Sequence, residues 1–356
     1  MPHSNTVGPS VVIVGSGHGL RVHLPSLREV GFNVVGLVGN NLERTQRRAE
    51  KNSIPQAFTD LETALKTTQA DAVTVASPPA THGEQVMIAI QHGCHVMCEK
   101  PFANTATEAH TILDAANKAG IVHVLGNQMR ARPERIVGAQ AIADGLIGEP
   151  RYLTFVQHTN LLSNTQVKWP DWWFDESAGG GWLGATGSHM IDHICSWLGD
   201  FASLSASLST VADRVNATED SFNVRFQLKS GVEGIFTQTG AAWGPMAAMT
   251  RVAGSKGTLW LEDDKPWVAD IDGTREIEIP AELELQAMEP SDDPRKKYLH
   301  VELPPSLKLF SAWRTAIEEG RSVEPFATFE DGLATMKVID AIRESASNGG
   351  KLVDVR

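Results

Sequence analysis

The sequence predicts an α/β chain in two parts, a doubly wound parallel sheet followed by a second α/β domain built on an antiparallel sheet. Three observations carry this. From Ser10 to Gly126 short β-branched runs alternate with helical patterns, one βα unit after another. Beyond about Met129 the pattern changes to a period of two, clearest at Phe222, Val224, Phe226 and Leu228, as in a strand with one wet face. A length of 356 residues, at ~100 to 200 per domain, leaves room for two cores.

In chain order, Val11 to Val14 is a continuous apolar run of the kind buried on both faces of a parallel sheet, and Val34 to Val38, Ala72 to Ala76, His95 to Cys98 and Ile121 to Leu125 repeat it. Helix starts are expected where a hydroxyl precedes an acid by three residues, at Thr59 to Glu62, Thr81 to Glu84 and Thr105 to Glu108. Gly93 and Gly120 fall where helices should end. Repeated βα units over this length imply right-handed crossovers in one sheet. In the second part, Ser230-Gly231 and Ser255-Lys256-Gly257 read as hairpin turns. Pro290 to Pro305, with four prolines and a cluster of charges, reads as loop. Two helical patterns close the chain, Leu307 to Glu319 and Glu330 to Ser345, the second opened by a capping box from Thr328 to Asp331.

Composition narrows the function classes. A formal net charge of −12 disfavours nucleic acid and anionic membrane surfaces as partners and favours a small molecule. Three cysteines, Cys94, Cys98 and Cys195, form no CxxC pair, so neither a disulfide framework nor a thiolate zinc site is expected. Met1 to Pro9 shows no signal-peptide pattern and no apolar run approaches the roughly 18 residues of a membrane span, so a soluble, cytoplasmic protein is expected. Tryptophans cluster at Trp169, Trp172, Trp173 and Trp182.

The turn after the first strand reads Gly15-Ser16-Gly17-His18-Gly19-Leu20. Glycines at 15 and 17 allow a tight turn and close approach of a pyrophosphate, while the next helix points its N-terminal amides at the anion. The usual third glycine falls at Leu20, with an additional one at Gly19. At the end of the second strand, where an acid would read the ribose of NAD, the chain has Gly39, Asn40 and Asn41, with Arg44 following. The missing carboxylate favours NADP over NAD. Arg44 reads equally as a solvated helix charge beside Arg47 and Arg48.

Ser77-Pro78-Pro79-Ala80-Thr81-His82, leading into a helix, and Glu99-Lys100-Pro101, ending a strand, closely resemble segments of the Gfo/Idh/MocA oxidoreductase family. Gly148-Glu149-Pro150, Gly179-Gly180-Gly181 to Asp192, and Ala327-Thr328-Phe329-Glu330-Asp331-Gly332 extend the resemblance over nearly the whole chain. It implies an NAD(P)-binding Rossmann domain over residues 1–128 and a substrate-binding and oligomerisation domain over 129–356 with a large, open, mainly antiparallel sheet, the last helix packing back toward the first domain. It also implies that Lys100 is the acid/base, that Ser77, Pro78, Pro79, His82, Glu99 and Lys100 border the cofactor, and that Pro101 shapes the backbone near the nicotinamide. Independently, a lysine at the carboxyl end of a parallel strand faces the crevice where open α/β sheets bind ligands, and desolvation suits it to proton exchange.

Many family members carry Asp-x-x-x-His in the second segment. His189 falls on the histidine, but the aspartate position is Ala185, and a methyl group accepts no hydrogen bond. Either His189 and Lys100 share the proton work, or another group supplies the contact, or dehydrogenase activity is lost. His189 and His193 share one helix face, but Met190 stands where a zinc motif needs Glu, so no metal is expected. Gln128 and Arg130, just past the last parallel strand, are candidates to reach the nicotinamide ribose or substrate. Trp172 and Trp173 are candidates for stacking on a sugar face, with core packing the competing reading.

The expected activity is hydride transfer between NAD(P) and a ring carbinol or ketone of a sugar, inositol or related cyclic polyol. Alternatives are a redox-assisted glycosidase with tightly held NAD and a non-catalytic nucleotide-sensing protein. A homodimer or homotetramer is expected from an open sheet with one uncovered face.

Overall fold

The computed structural model describes residues 8–214, 218–293 and 296–356. The chain forms two compact units. The first comprises the residues up to Ala103 with Thr107–Ala131 and Leu285–Gly332, and the second comprises Asn104–Ala106, Arg132–Glu284 and Leu333–Arg356. Residues 285–332 return to the first unit, so packing rather than chain order decides membership.

In the first unit, β1 (Ser10–Val14), β2 (Asn33–Val38), β3 (Gln56–Phe58), β4 (Ala72–Val75), β5 (His95–Cys98) and β6 (His123–Leu125) form one sheet in the order β3-β2-β1-β4-β5-β6. Every pair in it is parallel. The order reverses between β1 and β4, and ligands of such sheets bind beyond the carboxyl ends of the strands at that point. Helices α1 (Leu24–Glu29), α2 (Leu42–Lys51), α3 (Leu61–Thr68), α4 (His82–Gln91) and α5 (Ala106–Ala119) follow the strands. Two starts differ from the sequence reading. Asp60 rather than Thr59 caps α3, accepting from Thr63 N at 2.7 Å. Thr81 Oγ1 turns back to Ser77 Oγ at 2.8 Å instead of capping α4.

The second unit holds α6 (Pro133–Ala143), α7 (Ser188–Leu198) and a sheet of β7 (Pro150–His158), β8 (Phe201–Ser209), β9 (Ser221–Leu228), β10 (Glu233–Thr239), β11 (Ala247–Gly254), β12 (Gly257–Glu262), β13 (Lys265–Asp270), β14 (Gly273–Glu276) and β15 (Val353–Asp354). Its order is β14-β13-β12-β11-β7-β10-β9-β8-β15. Only the β7–β10 pair is parallel among the described residues, so the sheet is mainly antiparallel as expected. Phe222, Val224, Phe226 and Leu228 of β9 are all buried, with exposed residues between them.

Helix α8 (Leu299–Glu319) begins eight residues earlier than the sequence reading, inside the stretch read as loop, and carries Pro304 and Pro305 in its interior. Two prolines remove two ladder hydrogen bonds. Both rings are buried, Ser306 Oγ donates to Glu302 O at 2.7 Å, and Leu309, Phe310 and Trp313 pack into the core of the first unit, which outweighs the lost bonds. It is thus α8, not the last helix α9 (Phe329–Ser347), that joins the first unit as a whole. The Thr328 box forms as expected, Asp331 Oδ2 accepting from Thr328 N at 2.8 Å. Among the described residues no helix is long and apolar enough to cross a membrane.

Candidate active site

The loop after β1 is shaped by three glycines with three different reasons. Gly15 has φ of +101°, and a Cβ there would fall on the Ala76 carbonyl and within 2.8 Å of Ser77 N, so only glycine fits. Its N–H donates to Val38 O at 2.9 Å, fixing the loop to the end of β2. Gly17 is the opposite case: a Cβ would meet no atom within 4 Å. No packing demands a glycine there, but the open space fits a ligand that approaches the backbone. At Gly19 a Cβ would lie 2.7 Å from Ile13 Cγ2, so Gly19 supplies the close helix–strand packing usually provided by the third glycine. The shift is absorbed by a π turn over Gly19–His23, which widens the helix start by one residue and lets Leu20 pack against the core.

At the ribose end, a Cβ on Gly39 would strike the Thr45 side chain, so glycine is the residue that fits without a shift of α2. Asn41 caps α2, accepting from Arg44 N at 2.9 Å. Arg44 is exposed and its guanidinium donates to Asn40 Oδ1. Arg48, read from sequence only as a neighbouring surface charge, instead reaches the phosphate loop, Nη1 lying 2.6 Å from Ser16 Oγ and 3.0 Å from Ser16 O.

Beyond β4, Ser77 Oγ donates to Gln85 Oε1 at 2.6 Å, Pro78 and Pro79 lead into α4, and Pro79 is buried. His82 is wholly buried and staples two loops, Nε2 at 2.9 Å from Ser77 O and Nδ1 at 3.0 Å from Pro101 O. Burial holds its pKa below the ordinary value, against the two carbonyls that favour the charged ring.

Glu99 is the hub of this unit. Its Oε1 lies 3.0 Å from His23 Nε2 and 3.4 Å from His18 Nε2, and its Oε2 accepts from Lys100 N at 3.3 Å. Burial opposes ionisation of the carboxyl, but the two imidazoles outweigh it and hold its pKa well below the usual carboxylate range. His23, with no exposed surface, is kept below its ordinary value by burial. Arg21 extends the chain, donating from Nη2 to His18 Nδ1 at 3.1 Å and pairing with Glu302 of α8. His18, His23 and Glu99 offer three donor atoms within 4.8 Å of one another. A metal needs a bare nitrogen at His18 Nε2 and a proton on Nδ1, and the Arg21 donor at Nδ1 imposes the reverse tautomer. The group is therefore a hydrogen-bonded relay.

Lys100 sits at the carboxyl end of β5, followed by a cis bond to Pro101. Burial brings its pKa below the ordinary lysine value, with Glu99 and Glu302 opposing. Gln128 is buried and its Oε1 has no hydrogen-bond partner among the described residues, as is true of both amide atoms of the preceding Asn127. Arg130 is held inside the unit, Nη2 at 2.7 Å from Asp331 Oδ1, so the Asp331 carboxylate both caps α9 and anchors this guanidinium.

In the second unit the segment to α7 is tightly organised. Trp169 and Trp173 stack at 4.8 Å, Trp173 also meets Trp172 and Trp182, and Trp182 is 2% exposed. Trp182 is thus core, Trp173 is occupied by other indoles, and half-buried Trp172 meets Trp173 at 5.8 Å. Glu219, which no motif pointed to, accepts from Leu183 N at 3.1 Å, and Trp182 N donates to its backbone carbonyl at 3.0 Å. Burial raises its carboxyl pKa, partly offset by the Leu183 amide. Ala185 is buried in a second π turn, Leu183–Gly187, and half-buried His189 follows on α7. His193, one turn on, is buried edge-on against Trp197 at 4.3 Å.

A family model described as an oxidoreductase family with an NAD-binding Rossmann fold matches residues 10–126, and the GFO/IDH/MocA C-terminal domain matches residues 139–260. The chain belongs to the Gfo/Idh/MocA family. It is an NAD(P)-dependent oxidoreductase, as the Gly15 loop and Glu99-Lys100-Pro101 indicated. An uncharacterized oxidoreductase of Synechocystis sp. is 25% identical over 351 residues, covering 94% of this chain and 93% of its own. D-glucoside 3-dehydrogenase of Escherichia coli is 31% identical over 162 residues, 45% of each chain. Among solved structures, levoglucosan dehydrogenase in complex with NADH superposes with a TM-score of 0.83 at 22% identity, covering 98% of this chain and 99% of that one, which shows the shared fold.

Proposed function

We propose that this enzyme transfers a hydride between NAD(P) and a ring carbinol or ketone of a sugar, inositol or related cyclic polyol, with Lys100 as the acid/base and His189 as its partner. The observation that carries the reading is Lys100 itself, a half-buried lysine with a lowered pKa at a strand end of the phosphate-loop sheet, its neighbouring carboxylate fixed by two imidazoles. A bound nicotinamide supplies the hydride chemistry; the protein supplies orientation and proton transfer. The residues present fit such a cofactor, because the Gly17 space, the amides opening the π turn and the Ser16 hydroxyl suit a diphosphate, and Gly39 leaves the ribose without a competing carboxylate. That last feature favours NADP.

Lys100 takes the hydroxyl proton as the carbinol is oxidised and returns it on reduction. Glu99 keeps the Lys100 backbone in register through its amide. Trp172 offers a ring face to the substrate. Relatives named for D-glucosides, levoglucosan and scyllo-inositol support the substrate class. One face of the second sheet exposes Tyr152, Ile235 and Met249, and a homo-oligomer formed on it belongs to the same reading.

The test is a screen of sugars, inositols and glycosides with both cofactors, following absorbance of the reduced nicotinamide. Lys100→Met should bind NADPH normally and lose about 10²- to 10⁴-fold in kcat, the usual worth of a positioned acid/base. Full activity in Lys100→Met would overturn the assignment, and product release without net NAD(P)H change would point to the glycosidase instead.

A further inference from the structure

We infer that Glu219 is the positioning residue for His189, capping from outside the helical run that carries it. The inference rests on the reading of His189 given above and goes beyond it by assigning what aims that ring. Trp182 already has helical angles, φ −64° and ψ −34°, whereas Gly181 has φ of +100°, so Gly181 is the last residue outside the run. Its carbonyl accepts the first bond of the ladder, from Ala185 N at 3.0 Å. A residue at that place normally turns its own side chain onto the amide two or three residues on. Glycine has none, and a Cβ on Gly181 would fall on the carboxylate of Glu219. That carboxylate stands where the missing side chain would be. Its Oε1 accepts from Leu183 N at 3.1 Å, two residues past Gly181, while Glu219 O accepts from Trp182 N at 3.0 Å. Glu219 thus satisfies the opening amides of the run from another part of the chain.

The segment has little of its own to fix its alignment. Leu183-Gly184-Ala185-Thr186-Gly187 contains glycine at two positions, a weak helix former, and neither this turn nor α7 has an acid in its first turn. The run passes into α7 without a break, Gly187 and Ser188 both being helical, and His189 is the second residue of α7. A misalignment at the first turn is therefore carried to the imidazole. Glu219, by contrast, is mounted on the sheet. Asp220, the next residue, is buried, and its N–H donates to Ser209 O at 3.1 Å while its carbonyl accepts from Gly240 N at 2.8 Å. Its carboxylate accepts from Val211 N and Ala212 N, both at 2.8 Å. These bonds hold Glu219 against the ends of β8, β9 and β10, so the cap passes the position of the strands to the start of the helix and through it to His189.

The experiment measures kcat and KM by nicotinamide absorbance, with the substrate selected by the screen above, for the wild-type protein, Glu219→Ala, Glu219→Gln, His189→Ala and the double variant of Glu219→Ala with His189→Ala. Glu219→Ala should lower kcat about three- to thirtyfold, the equivalent of a lost cap, and leave KM and NADPH affinity within about twofold. Glu219→Gln keeps a side-chain carbonyl for Leu183 N and should recover most of the rate. With His189 already removed, Glu219→Ala should lower kcat by no more than about a further twofold, because effects that pass through one ring do not add. Full additivity in the double variant, or an unchanged kcat in Glu219→Ala, would overturn the inference and leave a cap that serves stability alone. A raised KM at constant kcat would also overturn it, since the effect would then lie in substrate binding. Full activity in His189→Ala would instead overturn the reading of His189 itself. Should Glu219→Ala fail to fold, Glu219→Asp, one methylene short of Leu183 N, carries the same comparison with the same outcomes.

Discussion

Alanine at Gly17 and alanine at Gly15 should separate ligand binding from folding within one loop. At Gly17 the new methyl meets no protein atom within 4 Å, so stability should be unchanged or raised by up to ~1 kcal/mol through the stiffer unfolded chain. The same methyl enters the space assigned to the diphosphate. Overpacking of that kind costs about 1–3 kcal/mol, which corresponds to a dissociation constant for NADPH raised roughly 5- to 150-fold. At Gly15 the backbone has φ of +101° and the methyl meets the Ala76–Ser77 backbone, which cannot rotate away. The left-handed conformation and the overlap together should cost about 2–5 kcal/mol of folding stability. Urea unfolding reads the first quantity and nicotinamide fluorescence the second. Unchanged NADPH affinity in Gly17→Ala would refute the placement of the diphosphate, and a Gly17→Ala protein as unstable as Gly15→Ala would refute the geometry of the loop.

Oxidation of a carbinol requires neutral Lys100, so the rate should rise with pH through the Lys100 pKa; Glu99→Gln removes a carboxylate that raises this pKa and should move the limb to lower pH in a kcat–pH profile. Asp331→Asn weakens both the cap of α9 and the anchor of Arg130, and should lower stability by about 1–3 kcal/mol in urea unfolding.

The parallel sheet was legible because its strands are buried on both faces and read as unbroken apolar runs; β5 matches its run residue for residue. Strand β3 left no such trace, being three half-buried residues at the sheet edge. The start of α8 was hidden by prolines whose local cost is met by burial in a core assembled from distant segments. In the site, Lys100 and the glycine loop were visible because backbone geometry constrains residue type at those points. The Glu99 relay was not, since His23 and Glu99 are 76 residues apart and nothing in either helix or strand period marks their meeting. Arg48 was missed for a related reason: Arg44, Arg47 and Arg48 look alike as charges on α2, and only the placement of the Ser16 loop distinguishes one from the others.

Both segments that carry candidate chemistry enter their helices through a π turn, Gly19–His23 before α1 and Leu183–Gly187 before α7. A π turn holds one residue more than the helical ladder requires. Losing or gaining one residue there rotates the side chains on the near side by roughly 100° relative to the helix beyond, with the rest of the fold left in place. The second turn thus sets the register in which half-buried His189 leaves the start of α7.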